Sequence, residues 1–149
     1  MKRAGQARIQ VRLGSWQELG EQALKIRLEV FVDEQGVPAG LELDAMDPVC
    51  VHALASGSGD VLLGTGRLLP DGHIGRMAVV RAARGQGVGS ALLLTLMRAA
   101  REHGHQEVEV HSQVDAAAFY RRFGFEIIGP EFDDAGIPHV TMRAQLSPG

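Results

Sequence analysis

Apolar and polar positions change period several times along this chain, and each change marks an element. Ile9, Val11 and Leu13 alternate with Arg8, Gln10 and Arg12, the period of a strand, and Gly14 closes it. Ser15 and Glu18 then form an S-x-x-E capping box, which starts a helix. That helix carries Leu19, Ala23, Ile26, Val30 and Phe31 at helical spacing, with Leu24 and Leu28 beside them, and stops near Gln35-Gly36. Asp33 and Glu34 occupy its last turn, where the helix dipole disfavours negative charge. Val37 to Pro48 reads as a loop with acids at Glu42, Asp44 and Asp47. Val51–Ala55, Val61–Leu69 and His73–Val80 read as consecutive strands joined by Gly57-Ser58-Gly59-Asp60 and Pro70-Asp71-Gly72, an antiparallel meander. Gly64, Gly66 and Gly75 fall inside these strands, where glycine marks a bulge or a close backbone approach.

A second helix begins at Val88. Its inward stripe is Val88, Ala91, Leu92, Thr95, Leu96 and Ala99, widened by Leu93, Leu94 and Met97, so it is expected to be deeply packed; Gly104 ends it. Glu107 to His111 alternates as a strand. Asp115 is placed to cap a short helix over Ala116–Phe123, which Gly124 stops. Phe125–Ile128 and Ile137–Leu146 complete the chain as strands, with an acidic loop of Glu131, Asp133 and Asp134 between them. The order is β-α-βββ-α-β-α-ββ, without an internal repeat. That is an α+β or mixed α/β fold around one sheet.

Length and composition narrow this picture. A chain of 149 residues suits one domain, 1–149, with residues 1–7 as a flexible basic leader. Apolar content of 45% and charged content of 22% exclude disorder, coiled coil and collagen. Fifteen Lys and Arg against 18 Asp and Glu leave a net charge of −3, which argues against a nucleic-acid partner. The longest apolar run, Ala91 to Met97, is far short of the ~18 residues of a membrane span. Lys2, Arg3, Arg8 and Arg12 precede no apolar signal segment, so no membrane partner is expected and a cytoplasmic location is the default. The single cysteine, Cys50, excludes an intramolecular disulfide and reads as a small buried hydrophobe. His103 and His105 read as surface residues, and no metal is expected. Glycine is in surplus, 19 of 149 residues against an average near ~7%.

The segment Arg84-Gly85-Gln86-Gly87-Val88-Gly89-Ser90 gives part of that surplus a purpose. It joins a strand to a helix, and free N–H groups at a helix start bind anions such as phosphate. Glycine lets backbone approach the ligand closely, and Arg84 can add a charged donor. A P-loop would need lysine before Ser90, which Gly89 replaces. A dinucleotide fingerprint fits Gly85 and Gly87, with Glu107 or Glu109 downstream, but its third glycine is Ser90.

Arg84, Gly87 and Gly89 also match R/Q-x-x-G-x-G/A, after the strand Ile74-Gly-Arg-Met-Ala-Val-Val80. This resembles the pyrophosphate loop of the GNAT (Gcn5-related N-acetyltransferase) superfamily. Ala116-Ala-Ala-Phe-Tyr-Arg-Arg-Phe-Gly-Phe125 resembles that superfamily's second signature, and the likeness spans about Arg8 to Leu146. Val30-Phe-Val-Asp-Glu-Gln-Gly-Val37 and Gly136-Ile-Pro-His-Val-Thr-Met142 are similar to the ElaA-like branch of acyltransferases. The resemblance implies a single domain with a twisted, mostly antiparallel sheet and helices on both faces.

It also implies transfer of an acyl group, usually acetyl, from acetyl-CoA to an amine by direct attack in a ternary complex. The acceptor would be a small molecule or a peptide, and homodimers are common in this superfamily. The N–H groups of Gln86 to Ser90, with Gly85 and Arg84, would hold the coenzyme's pyrophosphate. Met77, Ala78 and Val79 would pair with its pantetheine arm, and the Val79 N–H would polarise the thioester carbonyl. Tyr120 falls where a tyrosine often protonates the departing thiolate, and Gln113 falls where an asparagine often touches the coenzyme. The superfamily has no fixed general base. Glu34, His111 and His139 are the candidates here, and a water chain is an equal one. The acids at 33, 34, 42, 44 and 47 suit either a cationic acceptor or a solvated face. A non-catalytic acyl-CoA-binding module on the same fold is the alternative.

Overall fold

The computed structural model describes residues 8–38 and 44–147; the leader expected over residues 1–7, and Gly40 and Glu42 of the expected loop, lie outside them. The elements are β1 (Gln10–Gly14), α1 (Trp16–Arg27), β2 (Val51–Ser56), β3 (Leu62–Leu68), β4 (His73–Val79), α2 (Val88–Glu102), β5 (Glu107–Gln113), α3 (Ala117–Arg121), β6 (Glu126–Ile127), β7 (Phe132–Asp134) and β8 (Ile137–Gln145). Among the described residues the strands form one eight-stranded sheet in the order β1-β2-β3-β4-β5-β8-β6, with β7 also paired to β8. Neighbours are antiparallel except β4 and β5.

The alternation of the central strands decides which helix each residue meets. Leu54, Thr65 and Ala78 are cross-strand partners on one face. There Leu54 and Ala78 pack with Leu19 and Ile26 of α1 and with Val30. Ala53, Ala55, Gly64 and Gly66 point the other way, toward α2. A Cβ at Gly64 or Gly66 would come within 2.9 Å of Leu92 or Leu96, so these strand glycines let α2 lie directly on the sheet. Leu92, Leu93 and Leu96 are accordingly fully buried, as the wide apolar stripe predicts.

The capping box at the start of α1 forms both of its bonds: the Glu18 amide donates to Ser15 Oγ (3.1 Å) and the Ser15 amide to Glu18 Oε1 (2.8 Å). After Arg27 the helix does not simply run on to Gln35. It widens into a π-helical stretch over Leu28–Glu34, and the Gln35 amide bonds back to the Val30 carbonyl at 3.1 Å. Such widened turns are rare and recur at functional sites.

Other expectations change in detail. Leu13 alternates with Ile9 and Val11, but it lies on the edge strand and is 44% exposed, while those two pack against the core. Asp115 caps nothing: it sits inside a 3₁₀ turn, Val114–Ala116, and the N-cap of α3 is Ala116, without a side-chain bond. The acidic loop contains a strand, β7, which pairs with β8 across a turn where Ala135 and Gly136 both take positive φ. Its alternation is too short, at three residues, to register as a period.

Asp44 and Asp47 are neither a solvated face nor a lure for cations. Arg27 and Asp47, each 1% exposed, form a bidentate pair at 3.0 and 3.1 Å. Arg67 on β3 reaches Asp47 at 2.6 Å and Asp44 at 2.9 Å, and Arg76 reaches Asp44 at 3.2 Å. The Arg27 guanidinium lies over the Trp16 ring, and His52 Nε2 bonds to the Asp47 carbonyl. Burial would raise the Asp44 carboxyl, but the Met46 amide and the Arg67 guanidinium hold it at about 2. Cys50 is buried, as expected, and its Sγ donates to the Met46 carbonyl. Among the described residues no helix is long and apolar enough to cross a membrane.

Candidate active site

The site begins where two parallel strands stop pairing. β4 and β5 match only at His73–Glu109 and Ile74–Val110. Next on β4, the register with β3 slips between Thr65 and Arg67, and Arg76 takes φ +51°, a left-handed conformation unusual for a side chain of this size. The bulge turns β4 away from β5 and opens a gap of about 280 Å³. Met77, Ala78 and Val79 line one wall, His111, Ser112 and Gln113 the other, with Tyr120 and His139 also on its surface. The Val80 amide donates to the Leu63 carbonyl at 2.9 Å. Ladder alternation then turns the N–H and C=O of Val79 to the opposite edge, into the gap.

At one end the gap runs into the glycine loop. Gly85 and Gly87 have φ +77° and +87°, and Gly87 is the N-cap of α2. A Cβ at either would meet nothing within 4 Å, so conformation rather than crowding demands glycine there. Ala91 bonds back to the Gly87 carbonyl. The amides of Val88, Gly89 and Ser90, in the first turn, have no carbonyl within the helix to reach. With Gly85, Gly87 and Arg122 these residues line a cavity of about 400 Å³ that shares Val79 and Arg84 with the gap. Outward amides, a helix dipole and nearby guanidinium groups fit a phosphate-bearing ligand. Gln86 lies on the loop, and its amide nitrogen donates to the Ala82 carbonyl.

Two side-chain bridges tie the π-helical end of the first helix to this ligand surface. Arg84 donates to both oxygens of Glu34, at 2.5 and 2.6 Å, and its Nε to the Val79 carbonyl at 3.1 Å. Gln113 donates to Gln35 at 2.9 Å. The bonds from Arg84 hold the Glu34 carboxyl below the ordinary range, so Glu34 is a poor proton acceptor.

At the other end the gap continues into a cavity of about 330 Å³, sharing Ile74, Gly75, Arg76 and His111 with it. His111 therefore stands at the junction. Desolvation lowers its proton affinity first, and His73 adds to that effect. His139 donates from Nδ1 to the Ile137 carbonyl at 2.7 Å, because a carbonyl can only accept. Phe132 lies between the two rings, stacked on His139 and edge-on to His111. Tyr120 is almost wholly buried, and burial pushes its hydroxyl up to about 12.

The structure thus gathers Tyr120, His111, His139, Gln113, Arg84 and the β4 segment 77–79 around one gap, with the loop 85–90 at its end. It sets Glu34 against Arg84 instead of against an open acceptor cavity. Sequence reasoning assigned no role to His73, Phe132, Gln35 or Arg122. Arg122 was visible inside the second signature, but its nearness to the loop depends on α3 setting Phe119 against Gly89 at the start of α2.

A family model described as an acetyltransferase (GNAT) domain matches residues 17–146. The chain is 36% identical over 124 residues to the uncharacterized N-acetyltransferase YjcF of Bacillus subtilis, a match covering 80% of this chain and 88% of that protein. It is similar in structure to an acyl-CoA N-acyltransferase from Pseudomonas aeruginosa, at TM-score 0.82 and 31% identity, over 92% of this chain and 99% of that one. Escherichia coli ElaA is similar at TM-score 0.81 and 28% identity, over 93% and 100%.

Proposed function

The chain belongs to the GNAT acetyltransferase family, and on that footing we propose that it moves an acetyl group from acetyl-CoA to the nitrogen of an amine while both substrates are bound. What carries this reading is the continuity of the cleft. The glycine-loop cavity joins the β4–β5 gap at Val79 and Arg84, and the gap joins the outer cavity at Arg76 and His111. A long donor with phosphate at one end and a thioester at the other fits the first two, and the acceptor enters from the third.

Acetyl-CoA supplies an activated acyl group. In the overall reaction the C–S bond breaks, a C–N bond forms, the amine gives up a proton and sulfur leaves as thiolate. The loop amides of 86–90, with Arg84 and Arg122, hold phosphate; Met77 to Val79 and Gln113 flank the arm. The Val79 N–H donates to the thioester oxygen, where charge builds in the transition state. Tyr120 donates a hydrogen bond to sulfur. A phenol at about 12 lies well above a thiol near ~8.5, so the bond strengthens as charge grows but stops short of full transfer. An ammonium has no lone pair, and His111, neutral and at the cavity junction, takes the proton that the acceptor must lose. His139 holds the wall with Phe132.

The test is thiol release from acetyl-CoA across a panel of amines. Release that requires an amine supports the reading. Tight binding of acetyl-CoA by calorimetry, without release for any amine, would favour a non-catalytic binding module.

A further inference from the structure

His73 has no part in the reaction proposed above, yet both of its ring nitrogens face carboxylates. Nδ1 is 3.0 Å from Asp71 and Nε2 is 3.3 Å from Glu109. An imidazole donates from both nitrogens only when it carries both protons. The two carboxylates come from different places: Asp71 from the turn before β4, Glu109 from the matched position on β5. Glu109 is itself steadied by Arg143 at 2.8 Å. The ring so held stands edge-on to His111, centroids 5.3 Å apart.

We propose that His73, held between Asp71 and Glu109, acts on His111: when its ring donates to both carboxylates, its positive charge disfavours a second proton on the His111 imidazole. It is a positioning residue, acting through His111. The role in acyl transfer rests on His111 being the proton acceptor; the effect on His111 does not.

The other charges around His111 are few. Glu109 on its own strand and Asp134 on β7 favour its charged form, while His139 on β8 opposes it along with His73. Arg76 lines both cavities with it and adds positive charge. Loss of solvent around the ring works in the same direction as the two histidines. The sign follows. The active form is neutral, its pKa is lowered, and activity is lost as pH falls through that lowered value. Without the His73 charge the value returns toward the ordinary ~6.5.

The experiment follows the imidazole signals of the ligand-free chain by NMR between pH 4.5 and 8.5, in wild type, His73→Gln and Asp71→Asn. Asp71→Asn removes one bracket, keeps an acceptor for the His73 amide, and guards against a His73 variant that fails to fold. In His73→Gln the His111 titration should rise by about one pH unit; in Asp71→Asn it should rise by less. A His111 titration that stays put in both variants overturns the proposal. The pH profile of kcat/KM is measured beside it. If the acidic limb rises with the NMR value, the deficit should be about tenfold at low pH and narrow above pH 8. A purely structural role would instead lower activity equally at every pH. An NMR shift with a stationary limb would uphold the pairing of the two rings and remove His111 as the base.

Discussion

From Val79 toward α2 the cleft presents bare backbone; from Arg76 toward β8 it presents ionisable side chains. The first region is glycine loop, strand edge and helix start, with left-handed φ at Gly85 and Gly87 and unpaired first-turn amides. The second is His73, His111, His139, Asp71, Glu109 and Asp134, drawn from β4, β5, β7, β8 and the turn before β4. Backbone can recognise a ligand part that never changes, such as a pyrophosphate. Side chains can vary from one relative to the next without disturbing the sheet. One fold can therefore keep its donor and change its acceptor, and the two regions should fail differently when altered.

The largest effect should come from beneath the side-chain region. Asp47 compensates both Arg27 and Arg67 away from water. Asp47→Asn would leave two buried guanidinium groups short of charge, and we expect a loss of about 3–5 kcal/mol of folding stability, read by urea unfolding. A loss below about 1 kcal/mol would show that this network is as dispensable as a surface pair, and that the side-chain region does not rest on it.

Gly87→Val tests the backbone region. Valine at φ +87° is strained, and its Cβ would project into the open space above the loop. Strain of about 3 kcal/mol corresponds to roughly 100-fold weaker acetyl-CoA binding by calorimetry. The melting temperature should fall too, by whatever strain the loop does not relax away, since nothing packs on that position to hold it. Retained affinity would remove the loop from the binding surface.

These two sites also differ in how readily the sequence revealed them. Gly87 and the Ser15–Glu18 capping box are local requirements: a few adjacent residues state what the backbone must do. Gly64 and Gly66 were legible as close approaches, though not as the seat of α2. Asp47 was not legible, because its partners lie 20 residues away on either side and meet only after β3 and α1 pack. His73 likewise acquires Glu109 only through the short parallel pairing of β4 and β5. The π-helical turn at Leu28–Glu34 left no mark on the apolar spacing, since one extra residue in a ring shifts the stripe by less than its own width.

Tyr120 lines the gap between the two regions, and in the proposed reaction it donates to the departing sulfur. Tyr120→Phe should lower kcat by about 10- to 100-fold, the worth of one hydrogen bond to a developing charge. Its affinity for acetyl-CoA should stay within about twofold, since that charge is absent in the ground state. An unchanged kcat would eliminate the contact with sulfur, and an equal rise in Kd would make Tyr120 a binding residue instead.

The smallest effect is the most pointed, because it lies where the two regions touch. Glu34 takes both terminal nitrogens of Arg84, the one loop cation that the sequence assigned to the pyrophosphate. The ligand's phosphate and the Glu34 carboxylate therefore compete for the same guanidinium. Glu34→Gln keeps the shape and removes the competitor's charge, so acetyl-CoA should bind about two- to fivefold more tightly, in keeping with a partly exposed pair. The gain should shrink with added salt. The acidic limb of the pH–rate profile should not move, because a carboxyl held low by Arg84 is already ionised throughout that range. A limb that moved would return Glu34 to the acceptor side as the base. Weaker binding would mean that Glu34 holds Arg84 in place for the ligand, and the boundary between backbone and side-chain recognition would then run through this pair.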